Sequence, residues 1–254
     1  MKYHLFVFAL ILSLTSCSPY YYLPTKQNVM VFKQKGDAII TGNLGLFYHQ
    51  SGLEAGYSFT DNLGFYSSFN KFDISHYGST HQFIKDYIWD NELIVYKNFD
   101  FGLHTAINTG VGIGGLNEGN PYYNLTLHRQ FVQPSIGFNC MNVIEFCFST
   151  RFSRLNYKLQ STIDNMTTYD QKMFDSYFDF GSLNKENHYF IEPAFTMGLN
   201  FDFISLKCQY TISNELGTDS YSYIPENLST SVSFNLDRIF FNKSNKTKKL
   251  RWTL

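Results

Sequence analysis

Long apolar runs are missing from this chain of 254 residues once the first fourteen have passed. No later stretch approaches the roughly 18 unbroken apolar residues of a transmembrane helix, which excludes a multi-helix membrane protein. Charge is sparse too: 20 Lys and Arg face 21 Asp and Glu, together 16% of the chain, for a formal net charge of −1. Without a basic excess there is no electrostatic footprint for nucleic acid. Low net charge beside 44% apolar residues also excludes intrinsic disorder. Cysteine is limited to Cys17, Cys140, Cys147 and Cys208, with no CxxC or Cys/His spacing of a zinc site, and neither a disulfide nor a cofactor is expected. G-x-S-x-G, metalloprotease and phosphate-loop motifs are absent, so no enzyme is expected.

Aromatic residues are what the chain has in excess: 26 Phe, 19 Tyr and 2 Trp, 19% of the total. The amino terminus explains only a few of them. Lys2 is followed by an apolar stretch from Leu5 to Leu14, too short to span a bilayer and right for a secretory signal. It ends Leu14-Thr15-Ser16-Cys17, small residues before a cysteine, as in a bacterial lipobox. Residues 1–16 are therefore expected to be removed as a lipoprotein signal peptide, leaving an acylated Cys17 as a membrane anchor.

The body of the chain alternates with a period of two. Between 101 and 114, Phe101, Leu103, Thr105, Ile107, Thr109, Val111 and Ile113 interleave with Gly102, His104, Ala106, Asn108 and Gly110. Residues 143–153, 189–201 and 203–212 repeat the pattern, and helical spacing fits none of them as well. Weaker strands are expected at 37–48, 51–59, 63–74, 85–98, 124–139 and 227–237, for a total of ten. The 85–98 segment alternates least clearly. Pro134 falls inside a strand, where it should mark a bulge or a locally unpaired position.

Connections alternate between tight turns, near 60–62, 98–100, 139–142 and 202–203, and long polar links at 75–84, 115–123, 158–187 and 214–226. The link at 49–50 is the short exception. This is the pattern of an all-β, antiparallel, up-and-down transmembrane β-barrel of about ten strands, with eight as the alternative. Outward Phe and Tyr then meet lipid and the interfacial girdles. The competing fold is a lipid-anchored periplasmic barrel of lipocalin type, with its apolar face turned inward. The polar faces are mostly Gly, Ser, Ala, Asn and Thr, which suits a crowded lumen better than a wet exterior. Residues 37–241 form the expected barrel, 17–36 a periplasmic tether and 242–254 a basic tail.

Cys17 and the stretch Tyr22-x-Pro24-Thr25-x-x-Asn28-Val29-x-x-Phe32-x-x-Lys35-Gly36-Asp37 resemble small lipoprotein-type outer-membrane β-barrel proteins of Bacteroidota. The resemblance is specific over residues 17–37 and architectural beyond them. It implies a barrel in the outer membrane and no particular activity. Surface-exported lipoproteins of these bacteria tend to carry acidic residues after the cysteine. Ser18-Pro19-Tyr20-Tyr21-Tyr22 has none, so the lipid is expected in the periplasmic leaflet.

Strand parity sends a few charges inward. Glu145 and Lys207 fall near the short-turn end, with His104 at similar depth and Glu54 slightly higher. Arg129, Arg151 and Glu192 fall about ten residues above, on three consecutive strands. Folding the turn at Cys140 sets Arg129 opposite Arg151, with Glu192 as the carboxylate that relieves the like-charge pair. These five residues, Arg129, Arg151, Glu192, Glu145 and Lys207, form the expected lumen ion cluster, a plug that pairs buried charge. His76, His81, His128 and His188 fall nearer the long-loop end, beside Asp86 and Glu186. An enzyme would need one of them against an acid or Ser near that rim. The 158–187 loop, with Tyr169, Phe174, Tyr177, Phe178 and Phe180, offers an adhesive surface. Its Asp and Glu residues lack a calcium-loop spacing. Arg238, Lys243, Lys246, Lys248, Lys249 and Arg251 make the C-terminal end basic, matched to anionic head groups or an acidic periplasmic partner. A monomer in contact with membrane lipid is expected, in a structural or surface-interaction role or as a narrow transport or assembly component.

Overall fold

The computed structural model describes residues 22–29, 32–46, 50–75, 83–118, 123–140, 143–162, 187–201, 203–217 and 225–240, and the statements below concern these. Every long element is a strand: β1 (Ala38–Gly45), β2 (Ser51–Ser58), β3 (Leu63–Ser75), β4 (Phe83–Asn98), β5 (Leu103–Glu118), β6 (Tyr123–Cys140), β7 (Ile144–Thr162), β8 (Asn187–Asn200), β9 (Ile204–Ile212) and β11 (Glu226–Asn235). A two-residue piece, β10 (Asn214–Glu215), pairs with the upper part of β8. One helical turn, α1 (Leu236–Phe240), follows β11.

Each strand pairs antiparallel with its neighbour in sequence, β9 pairs with both β8 and β11, and β11 returns to β1. The ladder therefore closes. The chain is an all-β, up-and-down antiparallel barrel of ten long strands, as the alternation and turn spacing indicated. Strand limits differ from the expected ones by a few residues, most at β7, which continues to Thr162, and at β5, which continues to Glu118; the last strand ends at Asn235, where α1 begins.

The two faces divide by chemistry. Phe146, Phe148, Ile107 and Leu199 are 39–55% exposed on the outer wall. Inward positions on the same strands carry Cys147, Ser149, Asn108 and Gly198. A lipocalin-type arrangement would reverse this, and the structure overturns that alternative. Pro134 is outward; the ladder from β6 to β7 skips Gln133 and Pro134 and resumes at Ser135 in unchanged register. The proline thus removes local pairing without a bulge, consistent with its missing N–H.

Residues 22–29 and Phe32 depart from expectation. They do not hang below the barrel as a tether but lie inside it. Tyr22, Leu23, Thr25, Lys26, Gln27, Asn28, Val29 and Phe32 are all buried. Ten strands enclose a somewhat wider lumen than the eight whose side chains just fill it, and an extended segment takes up the difference. Tyr22 lies level with Phe190 of β8, at the long-loop end, and Phe32 lies beside Gly64 and Asn98, at the short-turn end. The chain then reverses into β1. Gly36 has a positive φ of 86°, Asp37 accepts from the backbone N–H of Lys33 and Gln34 at 2.7 and 3.1 Å, and Gly36 N–H donates to Ser58 at 2.9 Å. The Lys35-Gly36-Asp37 motif is this return turn.

Candidate functional site

The lumen is the candidate site, and it is arranged in three levels around residues 22–32. At the long-loop level, Arg151 Nε donates to Glu192 Oε2 at 2.7 Å, directly across the β7–β8 ladder. Arg129 forms a buried ion pair with Asp90 of β4 through both Nε and Nη2. The expected opposition of Arg129 and Arg151 does not occur. The β6–β7 turn is centred two residues later than its sequence suggested, so Arg129 faces Leu155. Both guanidinium groups pack on Phe131, with Cζ atoms 5.4 and 5.7 Å from its ring. The ring's quadrupole attracts each of them.

Tyr22 joins the two pairs. Its hydroxyl donates to Glu192 Oε1 at 2.8 Å, and its ring packs 4.6 Å from that of Phe190. Arg129 also reaches Thr25 Oγ1 at 3.1 Å, and Arg151 donates to the Thr25 carbonyl at 2.9 Å. Leu155, level with Arg129, and Leu125, Leu127 and Tyr157 above it are buried inward residues of β6 and β7.

At the middle level the wall contacts mainly backbone atoms of the segment. Gln209 accepts from Gln27 N–H at 2.6 Å and donates to its carbonyl at 3.0 Å. Gln133 and Asn108 donate to the Asn28 carbonyl, and Asn227 to that of Pro24. These amides replace the strand partner that an extended chain inside a barrel lacks, so its backbone polar groups are not left orphaned. Lys26 is held by both oxygens of Glu54, at 2.9 and 2.8 Å, and Asn28 by Glu92 at 2.6 Å.

At the short-turn level Lys207 Nζ sits 2.8 Å from Glu145 Oε1, with His104 Nε2 3.9 Å from the same oxygen. Gly198 is paired between Glu145 and Lys207 in the ladder. A Cβ there would approach Lys207 Cγ to 3.1 Å, so the glycine gives the lysine its path to the acid. Phe32 stacks on Tyr66 at 4.9 Å and leans on Tyr96 at 5.8 Å. Beside them is a polar void of about 90 Å³ lined by Lys33, Asp37, His104, Glu145, Lys207 and Asp237.

Of the five lumen residues singled out from sequence, the structure joins Arg151 with Glu192 and Glu145 with Lys207, and gives Arg129 a different partner. Asp90 and Glu92 were missed because β4 alternates poorly. Their shared parity with Ile88 and Ile94, both buried, was the available signal. Lys26 and Tyr22 were missed because their segment was placed outside. The wall itself held a clue: its inward charges include Glu54, Asp90, Glu92, Glu145 and Glu192 against Arg129, Arg151 and Lys207, leaving carboxylates in need of a cation.

Near the long-loop rim His188 Nδ1 lies 3.0 Å from Glu215 of β10, with the ring against Tyr157 at 5.8 Å. In this His–acid pair the histidine is buried and the acid half-buried. His128 is half-buried on the outward face of β6. Among the described residues no group of three or more His, Cys, Asp and Glu is placed to hold a metal. Cys140, Cys147 and Cys208 are free. Cys17, His76, His81, Glu186, the aromatic residues of the 158–187 loop and the basic residues beyond 240 lie outside the described residues, as does the side chain of Asp86. A concavity of about 860 Å³ lies on the outer wall, between Leu44, Phe146, Met197 and Leu206 where Gly42 and Cys208 are small.

No family model and no curated protein matches the chain. Solved structures do. The KdgM porin is 6% identical over 78% of this chain and 98% of its own, with a TM-score of 0.37. The NanC porin is 10% identical over 78% and 99%, with a TM-score of 0.38. A loop-deletion mutant of OmpT, an outer membrane protein of Vibrio cholerae, is 8% identical at 0.34, and the chain spans about half its length, 53%. Similarity this loose supports no transfer. The barrel rests on the chain's own closed ladder.

Proposed function

We propose that the protein is a monomeric outer-membrane β-barrel, anchored by lipid at Cys17, whose lumen is plugged by its own residues 22–36. Its role is structural or at the cell surface, not that of an open pore. The observation that carries the reading is the pairing of an apolar outer wall with a lumen threaded by a hydrogen-bonded segment. Leu53, Trp89, Ile107, Val111, Phe148 and Phe195 are each about half or more exposed. A contiguous apolar belt of that kind on a water-soluble barrel would drive aggregation, whereas acyl chains match it. Inside, ion pairs and amide contacts satisfy groups that would be costly to bury unpaired.

Catalysis has little support in this arrangement. The His188–Glu215 pair is packed beneath Tyr157, and the lumen carboxylates are tied to cations or amides. The basic tail follows α1 at the short-turn end, where on this topology it would meet periplasmic head groups or an acidic partner.

Planar-bilayer conductance of the refolded full chain tests the plug. The reading expects no sustained single-channel steps. Stable, long-lived steps of the size of a ten-stranded pore would overturn it in favour of a narrow transport component.

A further inference from the structure

The route of residues 22–36 fixes where the chain comes from. Going backward from β1, it descends nowhere: Phe32 is at the short-turn end, Lys26 and Gln27 are at mid-height against Glu54 and Gln209, and Tyr22 is against Phe190 and Glu192. Tyr22 thus lies at the long-loop level and Phe32 at the short-turn level.

Chain length decides whether the amino terminus can return to the other side. Glu192 is eight residues from Asn200, the short-turn end of β8. That is about 26 Å along the strand and, at a tilt of about 40°, about 20 Å along the axis. Cys17 is five residues before Tyr22, and five residues span at most about 17 Å fully extended. The long-loop end of β8, at Asn187, is only five strand residues from Glu192, about 13 Å along the axis. A returning chain would also have to pass the segment already inside.

We infer that the residues preceding Tyr22, Cys17 included, are on the same side of the barrel as the long loops and opposite the C-terminal end of β11. In an outer-membrane barrel the long loops face outward. The amino terminus is then displayed at the cell surface, threaded through its own barrel, and an acylated Cys17 belongs to the outer leaflet. This replaces the periplasmic leaflet expected from the lack of acidic residues after Cys17. The inference rests on the outer-membrane reading proposed above.

Three full-length variants separate the two. One carries an epitope between Pro19 and Tyr20, one within the 163–186 loop and one after Leu254, each probed on intact and on permeabilised cells. The inference expects the amino-terminal and loop epitopes to be detected without permeabilisation and the C-terminal epitope only after it. A surface-exposed loop with an amino terminus that is hidden until permeabilisation overturns the inference and leaves the barrel reading intact. A hidden loop epitope overturns the orientation on which both rest. Ser18→Cys, labelled on whole cells with a membrane-impermeant maleimide, reports the same side without an insertion: labelling supports surface display, and its loss until permeabilisation contradicts it.

Discussion

At the scale of single residues the lumen is a set of fitted exchanges, often a glycine for a neighbour's side chain. A Cβ at Gly112 would fall 2.0 Å from Asp90 Oδ1, and one at Gly137 would fall 2.1 Å from His104 Nε2. These glycines are vacant positions that larger inward groups occupy. The Asp90–Arg129 pair that fits over Gly112 is buried on both sides, with side chains 3% and 0% exposed. Removing one partner of such a pair strands the other charge and costs about 3–5 kcal/mol. Asp90→Ala should therefore lower the urea midpoint of the refolded barrel markedly, and Asp90→Ala with Arg129→Met should recover a large share of the loss. Full additivity of the two substitutions would show that the charges are not coupled.

Among elements, the strands were readable and the plug was not, for one physical reason. A strand whose two faces meet lipid and lumen must alternate, and Phe146-Cys147-Phe148-Ser149 records that directly. Residues 22–29 and 32–36 have no ladder partner. Their backbone is bound by Gln209, Gln133, Asn108 and Asn227, contacts that impose no period on the segment itself. The ion pairs were legible where they crossed a well-registered ladder, as Arg151 and Glu192 do. They failed at the β6–β7 hairpin, where two residues of turn position decide which side chains meet. Aromatic anchoring in the segment has its own test. Phe32 is fully buried against Tyr66 and Tyr96, so Phe32→Ala should cost about 3–5 kcal/mol in urea unfolding. A Cβ at Gly64 would come within 2.4 Å of the Phe32 ring. Gly64→Ala should thus be harmful with Phe32 present and clearly less so in the Phe32→Ala background, where only the Tyr57 carbonyl, 3.1 Å from the added Cβ, still crowds it. Equal costs in both backgrounds would mean that the ring does not occupy that place.

For the whole molecule, the division of chemistry between the outside and the inside of one closed sheet is the ground for the proposed membrane location and for the proposed absence of an open channel. The same division accounts for the aromatic excess, because outward Phe, Tyr and Trp are favourable against acyl chains and costly against water. The chain contains two tryptophans, Trp89 and Trp252, and Trp89 stands on the outer face of β4 at 54% exposure. With Trp252→Phe, Trp89 becomes a single fluorescent probe of the wall. Reconstituted into vesicles with brominated acyl chains, it should be strongly quenched and should resist quenching by aqueous acrylamide. Efficient acrylamide quenching with no effect of the brominated chains would place that wall in water and contradict the account.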